Sequence, residues 1–177
     1  MVAVRAAVPG DEDGIAGVQV AAWRDAYARI VPRDFLDGMS EARSANGWRR
    51  LIGEGQRTIL VAEAAGGDVI GFASGGAPAR DAGVGADAEL DAIYVQPGRQ
   101  RSGTGRLLAA AVASAAAAAG ARTMVVWVLT ANLSGRAFYE RLGAVASPER
   151  VRDIDFGWGL PIEEMAYRWD DLSILDG

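Results

Sequence analysis

The stretch Tyr94-Val95-Gln96-Pro97-Gly98-Arg99-Gln100-Arg101-Ser102-Gly103-Thr104-Gly105-Arg106-Leu107-Leu108 decides how this chain is read. A β-prone run stops at Pro97-Gly98, a glycine-rich turn follows, and an alanine-rich apolar run opens at Arg106. Proline and glycine punctuate secondary structure, so the segment reads as strand, turn and helix start. Successive backbone N–H groups at a helix N-terminus, with the helix macrodipole, form an anion site suited to a pyrophosphate. Gly103 and Gly105 let the backbone come close, because a Cβ would intrude. Arg101 and Arg106 are placed to add charge-assisted contacts to phosphate.

A dinucleotide fingerprint needs a third glycine where Leu108 stands. A Walker A loop needs a lysine, and the chain has none. An ordinary glycine-rich strand-to-helix turn is the bland alternative. Outward from this point, Ala88 to Val95 reads as the strand that feeds the turn, and Arg106 to Ala119 as the helix it opens, with Gly120 at the C-terminal cap. Upstream, Val2 to Val8 reads as a strand, Asp11 as the N-cap of a helix ending before Pro32, and Phe35, Leu36 and Met39 as a short apolar turn. Ser40 to Leu51 reads as a second helix ended by Gly53 and Gly55. Thr58 to Ala64 and Val69 to Ser74 flank Gly66-Gly67-Asp68 as a hairpin, and Pro78 to Ala86 is a loop. Downstream come a strand from Thr123 to Leu129, a helix from Asn132 or Leu133 to Leu142, an irregular stretch with strand potential from Ala144 to Trp158, and a last strand from Glu164 to Trp169. No repeat or linker divides the chain, so residues 1–177 are expected to form one mixed α/β domain.

Composition narrows the chemistry. Of 177 residues, 50% are hydrophobic and 23% charged, enough to bury a core. There is no Cys and no His, and all 18 basic residues are Arg. Thiolate nucleophiles, lysine Schiff bases and Ser-His-Asp triads are thereby excluded, and no metal site is expected. The net charge of −5 disfavours nucleic-acid binding. The longest apolar run, Leu107 to Ala119, is short of the ~20 residues that span a bilayer. The first residues show no signal-peptide pattern, so a cytoplasmic protein without a membrane partner is expected.

The turn Gln100-Arg101-Ser102-Gly103-Thr104-Gly105 resembles the pyrophosphate loop of the GNAT superfamily of N-acetyltransferases. The preceding Glu89-Leu90-Asp91-Ala92-Ile93-Tyr94-Val95 is similar to the family's fourth strand, and Asn132 to Ala144, with Ala137-Phe138-Tyr139-Glu140-Arg141-Leu142-Gly143, resembles the family's next helix. Ala22-Trp23-x-x-x-Tyr27 and Pro32 resemble the first helix of one bacterial branch. Thr104 stands where an aliphatic residue is commoner, and Ala144 where an aromatic is. The resemblance implies a mostly antiparallel sheet with a central parallel pair, flanked by helices on both faces.

It also implies a site. Acetyl-CoA would bind as co-substrate, its pyrophosphate on Gln100, Arg101, Ser102, Gly103, Thr104, Gly105 and Arg106. Its pantetheine arm would pair with the backbone of Ile93, Tyr94 and Val95, where this strand parts from Thr123 to Leu129. The N–H near Val95 would polarise the thioester carbonyl. Asn132, with Ser134 beside it, aligns with a pantetheine contact; a helix cap is its equal alternative. Tyr139 aligns with the acid that protonates the departing thiolate, or is a packed aromatic. An amine would attack directly in a ternary complex. The base is Glu89 through water, or Asp91, two residues on and on the same strand face; either is alternatively a solvated strand residue. Trp23, Tyr27, Asp34, Phe35, Asp155, Phe156 and Trp158 are candidates for the acceptor pocket, and relatives commonly form homodimers through the last strands. Three other functions compete: an acyl-CoA sensor without turnover, an acyltransferase using another donor such as succinyl-CoA, and a nucleotide-binding structural protein. The missing lysine and third glycine argue against the last.

Overall fold

The computed structural model describes residues 2–155, 157, 159 and 161–176. Seven strands form one sheet: β1 (Ala3–Ala6), β2 (Thr58–Glu63), β3 (Val69–Gly76), β4 (Ala88–Val95), β5 (Met124–Leu129), β6 (Val145–Ile154) and β7 (Ile162–Trp169). Their order is β1-β2-β3-β4-β5-β7-β6. Every pairing is antiparallel except β4 with β5. Five α-helices accompany them: α1 (Glu12–Ala26), α2 (Arg33–Gly38), α3 (Glu41–Glu54), α4 (Thr104–Ala118) and α5 (Leu133–Arg141). No helix of the described residues is long and apolar enough to cross a membrane.

Strand alternation assigns the faces. On β3, Phe72 packs with Ile15 and Val18 of α1 and Trp48 of α3. Its neighbour Ala73 turns the other way, into a larger cluster with Leu108 and Val112 of α4 and Tyr139 of α5. Helices therefore cover both faces, as expected. The alanine-rich α4 lies close because the sheet beneath it is also bare. A Cβ on Gly75 would stand 2.6 Å from the Glu89 carbonyl oxygen and 2.7 Å from Val112 Cγ1. The helix ends in paired bonds, Gly120 N–H to the Ala117 carbonyl and Ala121 N–H to the Ala116 carbonyl, with Gly120 at φ +92°. That is the glycine-terminated cap expected there.

Three local expectations change. Asp11 occupies the N-cap position of α1 but does not cap it. Its carboxylate instead accepts two bonds from Arg5, at 2.7 and 2.9 Å, and one from the Val8 N–H at 2.7 Å. A guanidinium offers a charged fork, which outcompetes a single helix N–H. The apolar turn after Pro32 is the helix α2. The irregular stretch after Ala144 is the strand β6, whose register jumps between Ser147 and Val151. Pro148 lies in that gap and has no N–H to give the ladder.

Gly75→Ala should destabilise the fold by about 1–3 kcal/mol, because its close neighbours include backbone that cannot yield. Gly17→Ala, in α1 with open space around it, should instead stabilise by about 0.5–1 kcal/mol. Urea denaturation of the two variants measures both.

Candidate active site

The parallel pair is short. Ala88, Glu89 and Leu90 pair with Met124, Val125 and Val126, and beyond Leu90 the two strands part. The cause is visible on the other edge of β4. Ser74 pairs with Ala92 and Gly75 with Leu90, which leaves Asp91 as an extra, unpaired residue. A bulge of this kind bends its strand and increases the local twist. Arg57 holds it. Its guanidinium donates to both Asp91 oxygens at 2.8 Å and to the Glu89 carbonyl at 3.2 Å. Arg80 adds a second ion pair at 3.0 Å. The Asp91 side chain is only 3% exposed and that of Arg57 14%.

A cavity of about 890 Å³ occupies the opening between the strands. Ala92, Ile93, Tyr94 and Val95 line one wall and Val126, Trp127 and Val128 the other. That volume lies within the range of small-molecule sites. Its mouth meets the start of α4, where the first helical bond runs from Leu107 N–H to the Gly103 carbonyl. The N–H groups of Thr104, Gly105 and Arg106 therefore have no acceptor inside the helix. Gln100, Arg101, Gly103, Gly105 and Arg106 line the cavity. Ser102 and Thr104 support the turn from within: their hydroxyls bond each other at 2.9 Å, and Ser102 Oγ donates to the Arg99 carbonyl at 2.7 Å.

The two glycines of the turn have different physical reasons. Gly103 is left-handed, at φ +86°, with open space around it. Gly105 is needed because a Cβ there would press the Phe138 ring at 3.1 Å. Arg101 is the described non-glycine residue with positive φ, at 60°.

The helix α5 brings Phe138 and Tyr139 to the same cavity. Strand β7 pins that helix. Tyr167 Oη accepts from Arg136 Nε at 3.0 Å and donates to Glu140 at 2.9 Å, and Trp169 Nε1 donates to the Leu142 carbonyl at 2.9 Å. Tyr139 is 8% exposed. Among the described residues its hydroxyl has no hydrogen-bond partner, and burial pushes its pKa well above that of an ordinary phenol. Asn132 caps α5, accepting from Gly135 N–H and Ser134 Oγ at 3.0 Å each. Asn132 and Ser134 also line the cavity, so capping and exposure to a ligand coexist there.

The two acid candidates separate. Asp91 lines the cavity, but guanidiniums occupy both of its oxygens. Glu89 lies outside the lining, beside Val125 where β4 and β5 are still paired. It is 6% exposed, and its Oε2 accepts from the Arg80 N–H at 2.8 Å. Reading the sequence missed a third buried acid. Glu164 of β7, bonded by Arg152 at 2.6 Å, has its pKa raised by burial and by neighbouring Glu89. Two consecutive glutamates, Glu163 and Glu164, in a β-prone run were the available signal.

Of the acceptor candidates, Tyr27 lines the cavity. Trp23 and Phe35 pack behind it, Trp23 edge-on to Tyr27 at 4.9 Å and tilted against Phe35 at 6.1 Å. Asp34 is exposed away from the cavity. Asp155 is exposed and accepts from Gly157 and Gly159 N–H groups. Phe156 and Trp158 lie outside the described residues.

A parted parallel pair, a glycine turn at its mouth and a helix crossing behind it are a fold-level signature, and comparison with known proteins matches it. The family model described as acetyltransferase (GNAT) matches residues 20–144. This chain belongs to the GNAT acetyltransferase family. It is 39% identical over 176 residues to the uncharacterized N-acetyltransferase YuaI of Bacillus subtilis (strain 168), covering 99% of this chain and 96% of that one. An N-acetyltransferase from Staphylococcus aureus Mu50 shares the fold with a TM-score of 0.73 and 18% identity, over 97% of this chain and 99% of that one. PaiA N-acetyltransferase from Thermoplasma acidophilum, solved in complex with coenzyme A, does so with a TM-score of 0.71 and 20% identity, over 96% and 99%.

Asp91→Asn should cost about 3 kcal/mol or more of stability, because it leaves a nearly buried guanidinium without its counter-charge. Urea denaturation measures the loss, and Arg57→Met combined with Asp91→Asn should recover part of it.

Proposed function

We propose that this protein moves an acetyl group from acetyl-CoA to a primary amine by direct attack in a ternary complex. The observation that carries the reading is the opening between β4 and β5, with unpaired helix N–H groups at its mouth and the Tyr139 phenol inside. The coenzyme A bound by the PaiA relative supports the choice of donor. The pyrophosphate would rest on the turn from Gln100 to Arg106, where helix N–H groups and arginines favour a diphosphate. The pantetheine arm would lie against Ile93, Tyr94 and Val95, whose β5-facing edge has no strand partner.

In this reading Glu89 receives the ammonium proton through water. Asp91 is less suited, since Arg57 and Arg80 hold its oxygens. The freed amine lone pair attacks the thioester carbonyl carbon, with the N–H near Val95 stabilising the oxygen as it gains charge. The carbon–sulfur bond then breaks, the thiolate takes the Tyr139 proton, and the phenolate left behind takes the surplus proton from the new amide nitrogen, which leaves neutral amide, CoA thiol and Tyr139 as it began. Burial keeps the Tyr139 phenol protonated in the resting enzyme, and its place in the cavity lining puts that proton where the thiolate would form. A sensor without turnover is the second reading; the spare, unbonded Tyr139 hydroxyl in the cavity favours the enzyme.

Calorimetric titration should show acetyl-CoA binding at micromolar affinity, with ATP and NAD far weaker. No acetyl-CoA binding by the folded protein would overturn the reading. With a panel of amines and thiol-release detection, Tyr139→Phe should lower kcat by about 10²-fold or more, while KM for acetyl-CoA moves far less. Full retention of kcat would remove Tyr139 from the mechanism. The raised phenol pKa also sets a pH expectation. The ordinary phenol value is 10.0, so the protonated form persists above it. A kcat profile should show no loss from this group as pH rises to about 10.

A further inference from the structure

Tyr27 belongs to the wrong face of the sheet for the company it keeps. It ends α1, on the side opposite α4 and α5. Yet it lines the same cavity as Phe138 and Tyr139, which descend from α5. Its buried cluster contains Leu129, the last residue of β5, and Tyr94, near the end of β4. Its hydroxyl stands 3.3 Å from Tyr94 Oη, with the Asn132 side chain as a polar neighbour beyond β5. The ring therefore stands across the opening between the two strand ends, touching both sides of it.

That ring is also backed. Trp23 meets it edge-on at 4.9 Å, and Val31 and Leu36 fill the cluster behind. Moving it aside would disturb close-packed neighbours, which is costly in a protein interior. Under the proposed function the pyrophosphate rests at the start of α4, on one face of the sheet, so a pantetheine arm entering between the strands would carry its acyl end toward α1 on the other face. The acyl group then meets Tyr27 first.

We propose that Tyr27 is the specificity-determining residue for acyl length, leaving room for acetyl and obstructing longer chains. The inference rests on the donor reading above and adds to it the class of donor: short acyl-CoA thioesters. Alanine-lined surface at Ala22 and Ala26 of α1 also borders the cavity, so Tyr27 is the bulky side chain at the α1 end of its wall. Replacing it by a small residue would extend the cavity toward Trp23 and Phe35, which are apolar and suited to added methylenes.

The test compares free CoA, acetyl-CoA, butyryl-CoA and hexanoyl-CoA by calorimetry, with each protein's affinities scaled to its own value for free CoA. The wild type should bind butyryl-CoA about tenfold or more weakly than acetyl-CoA, the effect expected of overpacking. Tyr27→Ala should bring butyryl-CoA to within about threefold of acetyl-CoA. Tyr27→Phe, which keeps the ring, should retain the discrimination. If Tyr27→Ala does not fold, Tyr27→Leu keeps apolar packing against Trp23 and tests loss of the ring with a smaller change of volume, so its gain for butyryl-CoA should be in the same direction and smaller. Equal wild-type affinity for acetyl-CoA and butyryl-CoA would overturn this inference and leave the donor reading intact. So would discrimination that survives the loss of the ring. Failure of free CoA to bind the wild type would overturn the donor reading, and this inference with it.

Discussion

The ion pair between Arg57 and Asp91 sits at the bulge that divides β4 into two halves. Before the bulge, β4 is an ordinary parallel neighbour of β5; after it, the two strands diverge and a cavity opens. The extra residue is an acid whose side chain is only 3% exposed. A carboxylate there is tolerated only with its counter-charges in place. Arg57 supplies one and, by also binding the Glu89 carbonyl, ties down the backbone on the approach to the bulge. Arg57 thus pairs with the acid and holds the backbone beside the bulge at once, and Arg80 supplies the second counter-charge.

The remaining features make sense around that opening. An open strand edge inside a protein presents unpaired backbone groups, which must find partners in water or a ligand. Helix α4 starts where the strands part, so its free N–H groups face the same space. Helix α5 closes the far side, held to β7 by Tyr167 and Trp169. Those two residues are among the largest fully buried side chains of the structure. Their bonds fix Tyr139 in place without engaging its hydroxyl. The site therefore combines a rigid frame with a few polar groups left unsatisfied inside it, which suits binding and proton transfer better than it suits stability.

Much of this was legible along the chain. The strand, turn and helix around Gly103 are local events, set by proline, glycine and hydrophobic periodicity within about a dozen residues. The expected helices α1, α3, α4 and α5 and the β2–β3 hairpin are present with small shifts at their ends. Strand parity put Glu89 and Asp91 together, but it could not show their different fates, since Arg57, which clamps Asp91, lies 34 residues away. Nor could it show Glu164, whose partner Arg152 comes from another strand. Asp11 shows the same limit on a smaller scale: its sequence position marks a helix cap, but Arg5 takes it.

Residue identity and short-range geometry were enough for the order of elements, for the glycine-rich turn that opens α4 and for the exclusion of cysteine, histidine and lysine chemistry. Packing settled the rest: that guanidiniums clamp Asp91 while Glu89 meets a backbone N–H, that Gly105 is bare to make room for the Phe138 ring, and that Tyr27 reaches across the strand opening to meet Tyr94. The physical reason is distance along the chain. Each of these contacts joins residues from different elements, and side chains that far apart meet only once the sheet and its two helical layers have packed.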